Sequence, residues 1–194
     1  MQHHFSMRTA LAAPLLALIL AACSDRPEPP KAPPPPPPPK PDLSKPVVWK
    51  EFPFADKAFV VKVPGDPICQ QNLSGSLGAN MCMVDSERTG LMVSFTQLKA
   101  GDDAPAKAAG LIAGTMEGSA RDLNGNVASS ADAAINGLKG KEYLIKSAEG
   151  EYRARIFMTK TYLVQTMGRA KVDPAVANAE IDLFLNSLTP AVTK

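Results

Sequence analysis

Short segments in which hydrophobic and polar residues alternate fill most of the chain after its first quarter. Alternation over a few residues, bounded by turn residues, predicts half-buried β-strands. The predicted strands are residues 59–63, 79–84, 91–98, 138–146, 152–159 and 162–167. Pro64-Gly65 ends the first of them, the polar residues 85–90 separate the second from the third, and residues 148–150 favour a turn between two of the last three.

Two other stretches repeat hydrophobic residues every three or four positions, which predicts amphipathic helices. The first stretch comprises Ala108, Leu111, Ile112, Thr115, Met116, Ala120 and Leu123, and the second Val176, Ala177, Ile181, Phe184, Leu185 and Leu188. Asp102 or Asp103 can cap the first helix, with Pro105 in its first turn, and Asp173-Pro174 opens the second. Strands followed by a helix, twice over, predict an α+β fold: an antiparallel sheet with two main helices packed on it.

The first 22 residues follow a different pattern. Residues 11–22 are almost wholly apolar and follow Arg8, yet they are too few to span a bilayer core of about 30 Å. They are typical of the hydrophobic region of a signal peptide. The stretch ends at Leu20-Ala21-Ala22-Cys23, which resembles the lipobox of bacterial lipoproteins; the alternative is a plain secretory signal followed by a chance cysteine.

The lipobox resemblance implies a membrane anchor. It implies cleavage before Cys23, a diacylglycerol on the Cys23 thiol and an acylated amino group, and two or three acyl chains together hold a protein permanently in a bilayer. Ser24 stands where aspartate retains enterobacterial lipoproteins in the inner membrane. We therefore expect a lipid-anchored protein of the bacterial cell envelope, in the outer membrane and facing the periplasm.

A proline-rich linker follows the anchor. Twelve of the 19 prolines lie between Pro27 and Pro46, including seven in a row from Pro33 to Pro39. Such a run adopts polyproline II at about 3.1 Å per residue, so 20 residues reach roughly 60 Å. We interpret residues 23–47 as a disordered tether, as a spacer of required length, or as a ligand for an SH3-like domain. The globular domain then comprises residues 48–194.

Charge and histidine content exclude several classes of function. Residues 48–194 hold 16 basic and 16 acidic side chains, which gives no electrostatic reason to expect a nucleic-acid partner. The two histidines, His3 and His4, precede the apolar stretch and would be cleaved away with it. The mature protein would then have no Ser-His-Asp triad, no Cys-His pair and no histidine-ligated metal. We expect no enzyme, cofactor or metal site.

Cys69 and Cys82 remain in the domain once Cys23 is lipidated. An even pair of cysteines in an exported protein favours a disulfide, here between two strand ends across a hairpin. Closing a loop of about 14 residues stabilises a fold by roughly 3 kcal/mol on the chain-entropy model. A redox-active pair is the alternative, but the sequence has no Cys-x-x-Cys motif.

Two weaker motifs have structural interpretations. Residues 122–126 read Asp-Leu-Asn-Gly-Asn and begin like a calcium loop, but Val127 stands where that loop needs glycine, so they predict a helix-ending turn. Arg153 and Arg155 alternate with Tyr152, Ala154 and Ile156, which predicts that both lie on a solvated strand face. We expect them to pair there with Glu142, Glu149 or Glu151; the alternative is that they bind an anion.

Hydrophobic spacing over residues 48–190 resembles the PsbP-like fold, a group that includes small bacterial lipoproteins of the DcrB type. The resemblance rests on Trp49-x-x-Phe52, Phe59-x-Val61-x-Val63-Pro64, Gly137-x-x-Gly140-Lys141-Glu142-Tyr143, Arg153-x-Arg155-Ile156-Phe157, Tyr162-Leu163-Val164 and Phe184-Leu185-x-Ser187-Leu188. It implies a sandwich of sheet and helices, and an accessory or binding role in larger assemblies without shared catalytic residues.

These features favour an envelope lipoprotein whose non-enzymatic binding or accessory module is displayed on a polyproline spacer. Its expected partners are the membrane, through the lipid anchor, and an envelope protein or the cell wall. One alternative is a carrier of a small apolar ligand, in a cleft between sheet and helix lined by Met81, Met83, Met92 and Met116. Another is an enzyme that relies on Asp, Glu, Lys or Ser alone.

Overall fold

The computed structural model describes residues 46–71 and 80–191. The expected signal peptide, Cys23, nearly all of the proline-rich linker and the loop between Cys69 and Cys82 lie outside these ranges. The strands are β1 (Lys50–Phe54), β2 (Phe59–Val63), β3 (Ile68–Gln71), β4 (Asn80–Asp85), β5 (Thr89–Gln97), β6 (Gly125–Ile135), β7 (Leu138–Ser147), β8 (Gly150–Met158), β9 (Tyr162–Ala170) and β10 (Thr189–Pro190), and the helices are α1 (Pro105–Asp122) and α2 (Pro174–Asn186). Neither described helix is long and apolar enough to cross a bilayer.

The described strands form two antiparallel sheets. Seven of them lie in the order β3-β4-β5-β9-β8-β7-β6, and β1, β2 and β10 form a smaller sheet. Side chains alternate between the two faces of a strand. Along β8, Tyr152, Ala154 and Ile156 pack with residues of α1, whereas Phe157 packs with residues of α2 and the small sheet. Helix α1 therefore covers one face of the large sheet, and α2 with the small sheet covers the other.

The predicted fold class is confirmed: two helices pack on an antiparallel sheet. The six predicted strands correspond to β2, β4, β5, β7, β8 and β9, and both predicted helices are present. Asp173 begins α2 as expected, because its carboxylate accepts a hydrogen bond from the Ala175 N–H at 2.8 Å.

Strand β6 was not predicted from the sequence. Its 11 residues contain four alanines and two serines and show no apolar alternation, because most of them are exposed. The helix-ending turn at residues 122–126 is present: α1 ends at Asp122, and Asn124 turns the chain with a φ of 50°. The chain then enters β6 directly. The sequence feature that could have indicated this strand is Asn136-Gly137, because an Asn-Gly dipeptide favours a tight hairpin. The two residues have φ values of 47° and 82°.

The predicted cap of α1 is wrong. The N-cap residue is Ala104, which has no side-chain acceptor for the first turn, although Pro105 does start the helix. The Asp102 carboxylate instead accepts a hydrogen bond from the Lys99 N–H at 2.8 Å and pairs with Lys107. Its hydrogen bond with Lys107 lowers the pKa of the Asp102 carboxyl. Asp102 therefore shapes the loop before the helix rather than the helix end.

The face that carries Arg153 and Arg155 is not solvated, contrary to expectation, because α2 lies over it. Arg155 donates from Nη1 to the Leu185 carbonyl at 3.2 Å and from Nε to Glu142 at 2.6 Å, so the expected pairing with Glu142 is confirmed. Arg153 pairs with Asp182 at 2.7 Å. A guanidinium at the last carbonyls of a helix also complements the helix dipole.

Helix α2 presents a continuous apolar face to the sheet. Ala177, Ile181, Phe184, Leu185 and Leu188 are buried as predicted. Val176 is not, since 39% of it is exposed at the first turn.

Leu185 and Leu183 provide a matched pair for testing how α2 contacts the sheet. Leu185 is fully buried, whereas 41% of Leu183 is exposed. We expect Leu185→Ala to lower the free energy of unfolding by about 2–5 kcal/mol, because it leaves a cavity. Leu183→Ala should change it by less than about 0.5 kcal/mol. Urea unfolding of the full chain, followed by circular dichroism, measures both; equal losses would contradict this placement of α2.

Candidate binding surfaces beside helix α1

Cys69 and Cys82 form the expected disulfide. They are direct partners in the β3–β4 ladder, with Cα atoms 4.0 Å apart. All four residues of β3 are exposed, whereas Cys82 is buried at the margin of the core. The bond therefore ties an exposed edge strand to the body of the sheet.

Helix α1 is seated on the sheet only by its C-terminal half. Its buried residues are Met116, Gly118, Ser119 and Ala120, and none of residues 105–115 is buried. A cleft of about 520 Å³ opens between α1, β6 and β7. Its apolar wall consists of Ala109, Ile112, Ala113, Met116 and Val127.

Gly140 lies at the floor of this cleft, where β7 passes close to β8. A Cβ atom at Gly140 would lie 1.9 Å from the carbonyl oxygen of Ile156, so only glycine fits. Lys141 follows it and pairs with Asp132 of β6 at 2.6 Å. Its hydrogen bond lowers the pKa of the Asp132 carboxyl. The one acidic side chain of β6 is thus engaged with its own sheet.

The outer edge of β6 forms the rim of the cleft. No strand in residues 46–71 or 80–191 pairs with this edge, so it presents backbone N–H and C=O groups along a strand of 11 residues, which is interrupted by a shift of register at Ala128. Natural edge strands are usually short or are protected by lysine, proline or a cover. Strand β6 is long, and it contains neither lysine nor proline.

A second groove, of about 260 Å³, lies on the α1 face at the other end of the sheet. Met81, Met83, Met92 and Met167 line it together with Leu91, Leu123 and Tyr152. Three of the four methionines expected in one cleft are here, but Met116 lines the cleft under α1 instead. The expected single methionine-lined cleft is therefore two separate surfaces. Met167 was missed because strand pairing, which brings it there, is not visible in the sequence.

Ion pairs close the rim of this second groove. Arg169 donates to Glu149 at 3.0 Å and stacks over the Tyr152 ring at 5.4 Å. Lys171 pairs with Asp85, also at 3.0 Å.

A buried polar network fixes α1 to the centre of the sheet. The Gln165 side-chain amide donates to Ser119 of α1 at 3.0 Å and to the Tyr143 hydroxyl, and the Ser94 hydroxyl donates to the Gln165 carbonyl oxygen at 3.3 Å. All four residues are at most 2% exposed. Burial raises the pKa of Tyr143 to about 12. The sequence feature that could have indicated this network is a glutamine within residues 163–167, which are mostly apolar.

Residues 46–71 and 80–191 contain no group of three or more His, Cys, Asp or Glu side chains placed to hold a metal ion. The polar groups beneath α1 are engaged with one another rather than directed into a cavity.

Tyr143→Phe tests the polar network. The substitution leaves an N–H of Gln165 without its acceptor in a buried site, so we expect it to lower the free energy of unfolding by about 1–3 kcal/mol near neutral pH. Urea unfolding measures this loss. A change within about 0.3 kcal/mol would mean that the hydroxyl contributes nothing.

The same variant tests the pKa of Tyr143. Because the folded-state pKa of about 12 lies above the ordinary value of 10.0, the protonated phenol stabilises the fold fully below pH 10, and this contribution is lost as the pH rises towards 12. Wild type should therefore lose more stability than Tyr143→Phe above pH 10, and an equal loss would contradict the raised pKa.

Comparison with known proteins identifies the fold. No known family model matches the sequence, and no curated protein matches it either. The solved structure of cyanobacterial PsbP (CyanoP) from Synechocystis sp. PCC 6803 is similar, with a TM-score of 0.54, 10% sequence identity, and coverage of 76% of this chain and 95% of that chain.

A second solved structure, the protein PA94 of Pseudomonas aeruginosa, covers 75% of this chain and 99% of its own at 14% identity, but its TM-score of 0.41 is too low to support an argument. The CyanoP likeness, at 10% identity, concerns the fold alone. The α+β domain therefore has the PsbP-like fold that its hydrophobic spacing implied.

Proposed function

We propose that this protein is a bacterial envelope lipoprotein whose PsbP-like domain binds an extended segment of an envelope protein along the edge of β6. The domain acts without catalysis, as an accessory module of a larger assembly. The single observation that carries the proposal is the long, open edge of β6 beside an apolar cleft.

Strand addition is the binding mode that this edge favours. An extended segment that pairs with β6 gains main-chain hydrogen bonds, while every second side chain meets a pocket that gives specificity. The cleft under α1, with Ile112, Met116 and Val127 in its wall, is placed to receive such side chains. Asp132, the one charged residue of β6, is paired with Lys141, so adding a strand does not have to desolvate an unpaired charge on this strand.

The occupying strand comes from another protein rather than from the linker of this chain. Residues 23–47 contain 12 prolines, and proline has no N–H to donate to a strand ladder. The linker instead serves to hold the domain away from the bilayer, where it can reach a partner in the periplasm or the cell wall.

Two features support the envelope location. Leu20-Ala21-Ala22-Cys23 follows an apolar stretch of signal-peptide length, and Ser24 fits sorting to the outer membrane. The Cys69–Cys82 disulfide fits an oxidising compartment.

The amino-acid composition of the chain after signal-peptide cleavage supports a non-enzymatic role. The mature chain would lack histidine, the commonest general acid and base. The PsbP-like fold also fits an accessory role, as its sequence resemblance implies.

The cleft under α1 also supports the alternative function, transport of a small apolar ligand. Its volume of about 520 Å³ lies within the range of ligand pockets, and its wall is largely apolar. In this alternative the ligand lies between Met116 and Val127, and the β6 edge has no partner.

Cys23→Ala tests the anchor. We expect the wild-type protein to fractionate with the outer membrane and to incorporate a palmitate analogue. Cys23→Ala should lose the label and accumulate as the uncleaved precursor, because lipidation at the cysteine precedes cleavage in lipoproteins. Ser24→Ala is the control, which should keep the label. Unchanged labelling in Cys23→Ala would exclude this anchor.

Lysine substitutions test strand addition at β6. A photo-crosslinking amino acid at Ser130, on the edge, should capture a discrete envelope protein in cells, and one at Leu183, on α2, should not. Ala128→Lys with Ala131→Lys should lower that capture about tenfold or more, because charged lysines block edge pairing.

The matched control for this experiment places the same two lysines on exposed alanines of the helices, as Ala106→Lys with Ala179→Lys. It should leave the capture unchanged. Equal capture from Ser130 and Leu183, or capture that the β6 lysines do not reduce, would contradict the proposal.

A further inference from the structure

We propose that a row of methionines on the α1 face binds a soft monovalent cation, Cu(I). The methionine row consists of Met83, Met92 and Met167, with Met81 beside it. It lies towards the β3 edge of the sheet, at the opposite end from β6. The inference therefore does not depend on strand addition, and either can fail without the other.

Strand register brings the sulfur-bearing side chains together. Met83 of β4 lies directly opposite Met92 of β5, which lies directly opposite Met167 of β9. Directly opposed residues share a face of the sheet, with Cβ atoms about 4.5–5.5 Å apart. Met81 is two residues from Met83, so it points to the same face as a diagonal neighbour of Met92.

The chemistry of these side chains suits a soft cation. Thioethers are neutral, soft ligands that favour Cu(I) over hard cations such as Mg²⁺ or Ca²⁺. Methionine has three rotatable bonds beyond its Cα, so opposed side chains can turn their sulfurs towards one ion. The chain thus offers three or four thioether ligands within a single groove.

The distribution of methionine differs between the two faces of the sheet. Four of the six methionines in the described residues line this groove. The cluster of buried residues on the α2 face is of similar apolar character, but it is built mainly from phenylalanine, valine, leucine and isoleucine. It contains no methionine, and its one sulfur-bearing residue, Cys82, is in the disulfide. Packing alone does not require thioethers on one face and exclude them from the other.

A cation can enter the groove from solvent, and the carboxylate oxygens at its rim are already engaged in ion pairs. Met83 is 46% exposed, Met92 is 9% exposed and Met167 is 4% exposed, so the row leads from solvent into the sheet. The carboxylates at the rim, Asp85 and Glu149, are held by Lys171 and Arg169. Sulfur rather than oxygen is therefore the ligand available to an ion in the groove.

Conservative Met→Leu substitutions separate this proposal from an apolar docking surface. Leucine keeps the volume and apolar character of methionine at a cost of less than about 1.5 kcal/mol per site, but it removes the sulfur. An apolar partner would still bind the leucine variant, whereas a soft cation would not.

The binding experiment uses the full chain in detergent, with Cys23→Ser, His3→Ala and His4→Ala in every arm. Without a lipidated Cys23 the chain stays uncleaved, so this thiol and the two N-terminal imidazoles would otherwise compete for the ion. Ag(I) is the first probe, because it needs no reductant and leaves the Cys69–Cys82 disulfide intact. Cu(I) is then titrated without oxygen against a coloured chelator. The row variant carries Met83→Leu, Met92→Leu and Met167→Leu, and the matched control carries Met116→Leu and Met158→Leu.

We expect one Ag(I) or Cu(I) ion to bind the parent chain and the control alike. The row variant should bind at least about 100-fold more weakly, more than the loss of outer-shell partners usually costs a metal site. Undiminished binding by the row variant would overturn the proposal, and so would failure of the parent chain to compete with the chelator.

The methyl resonances of methionine provide a second measurement that needs no substitution of the row. Ag(I) should shift the methyl signals of Met81, Met83, Met92 and Met167 and leave those of Met116 and Met158 in place. Shifts of equal size at Met116 and Met158 would indicate non-specific binding and would also overturn the proposal.

Discussion

The burial of β9 on both faces is the constraint on which the rest of the domain depends. Every residue from Leu163 to Gly168 is buried, because α1 covers one face of the sheet beside this strand and α2 covers the other. Helix α2 lies so close that a Cβ atom at Gly168 would fall 2.8 Å from a methyl carbon of Ile181. On the opposite face, Gln165 holds α1 through Ser119. Both helices are therefore connected to this one strand, α2 by close packing at Gly168 and α1 by the hydrogen bond from Gln165 to Ser119.

The exposed surfaces of the large sheet are the regions that neither helix covers. Helix α1 covers β6, β7 and β8, while α2 and the small sheet cover β9, β5 and the strands beside them on the other face. The α1 face is therefore left uncovered over β4 and β5, where Met81, Met83 and Met92 lie. It is also only loosely covered at its far end, where the N-terminal half of α1 stands away from β6.

Strands and helices with a buried face could be predicted from the sequence. Exposed strands, and contacts that depend on the register of strand pairing, could not. The pattern of residues 162–167 and of the apolar face of α2 predicts these elements, because burial requires apolar side chains at fixed spacing. Strand β6 buries little, so its composition of alanine and serine carries no pattern. The Cys69–Cys82 bond followed from the two cysteines that remain once Cys23 is assigned to the lipobox. Met92, by contrast, lies opposite Met167, and this pairing joins strands more than 70 residues apart in sequence. The hydrogen bond from Arg155 to Leu185 likewise depends on the position in which α2 packs on the sheet.

The two edges of the large sheet are unequal. Strand β3 has four residues and is bonded covalently to β4. Strand β6, at the other edge, has 11 residues and is joined to β7 by a hairpin, a ladder of backbone hydrogen bonds and the Asp132–Lys141 ion pair. A sheet with two equivalent edges can grow without limit as copies add at both ends, which is how fibres form. Among residues 46–71 and 80–191, the long edge has no counterpart of matching length on the far side. Copies stacked edge to edge in a repeating array would therefore have to pair strands of unequal length.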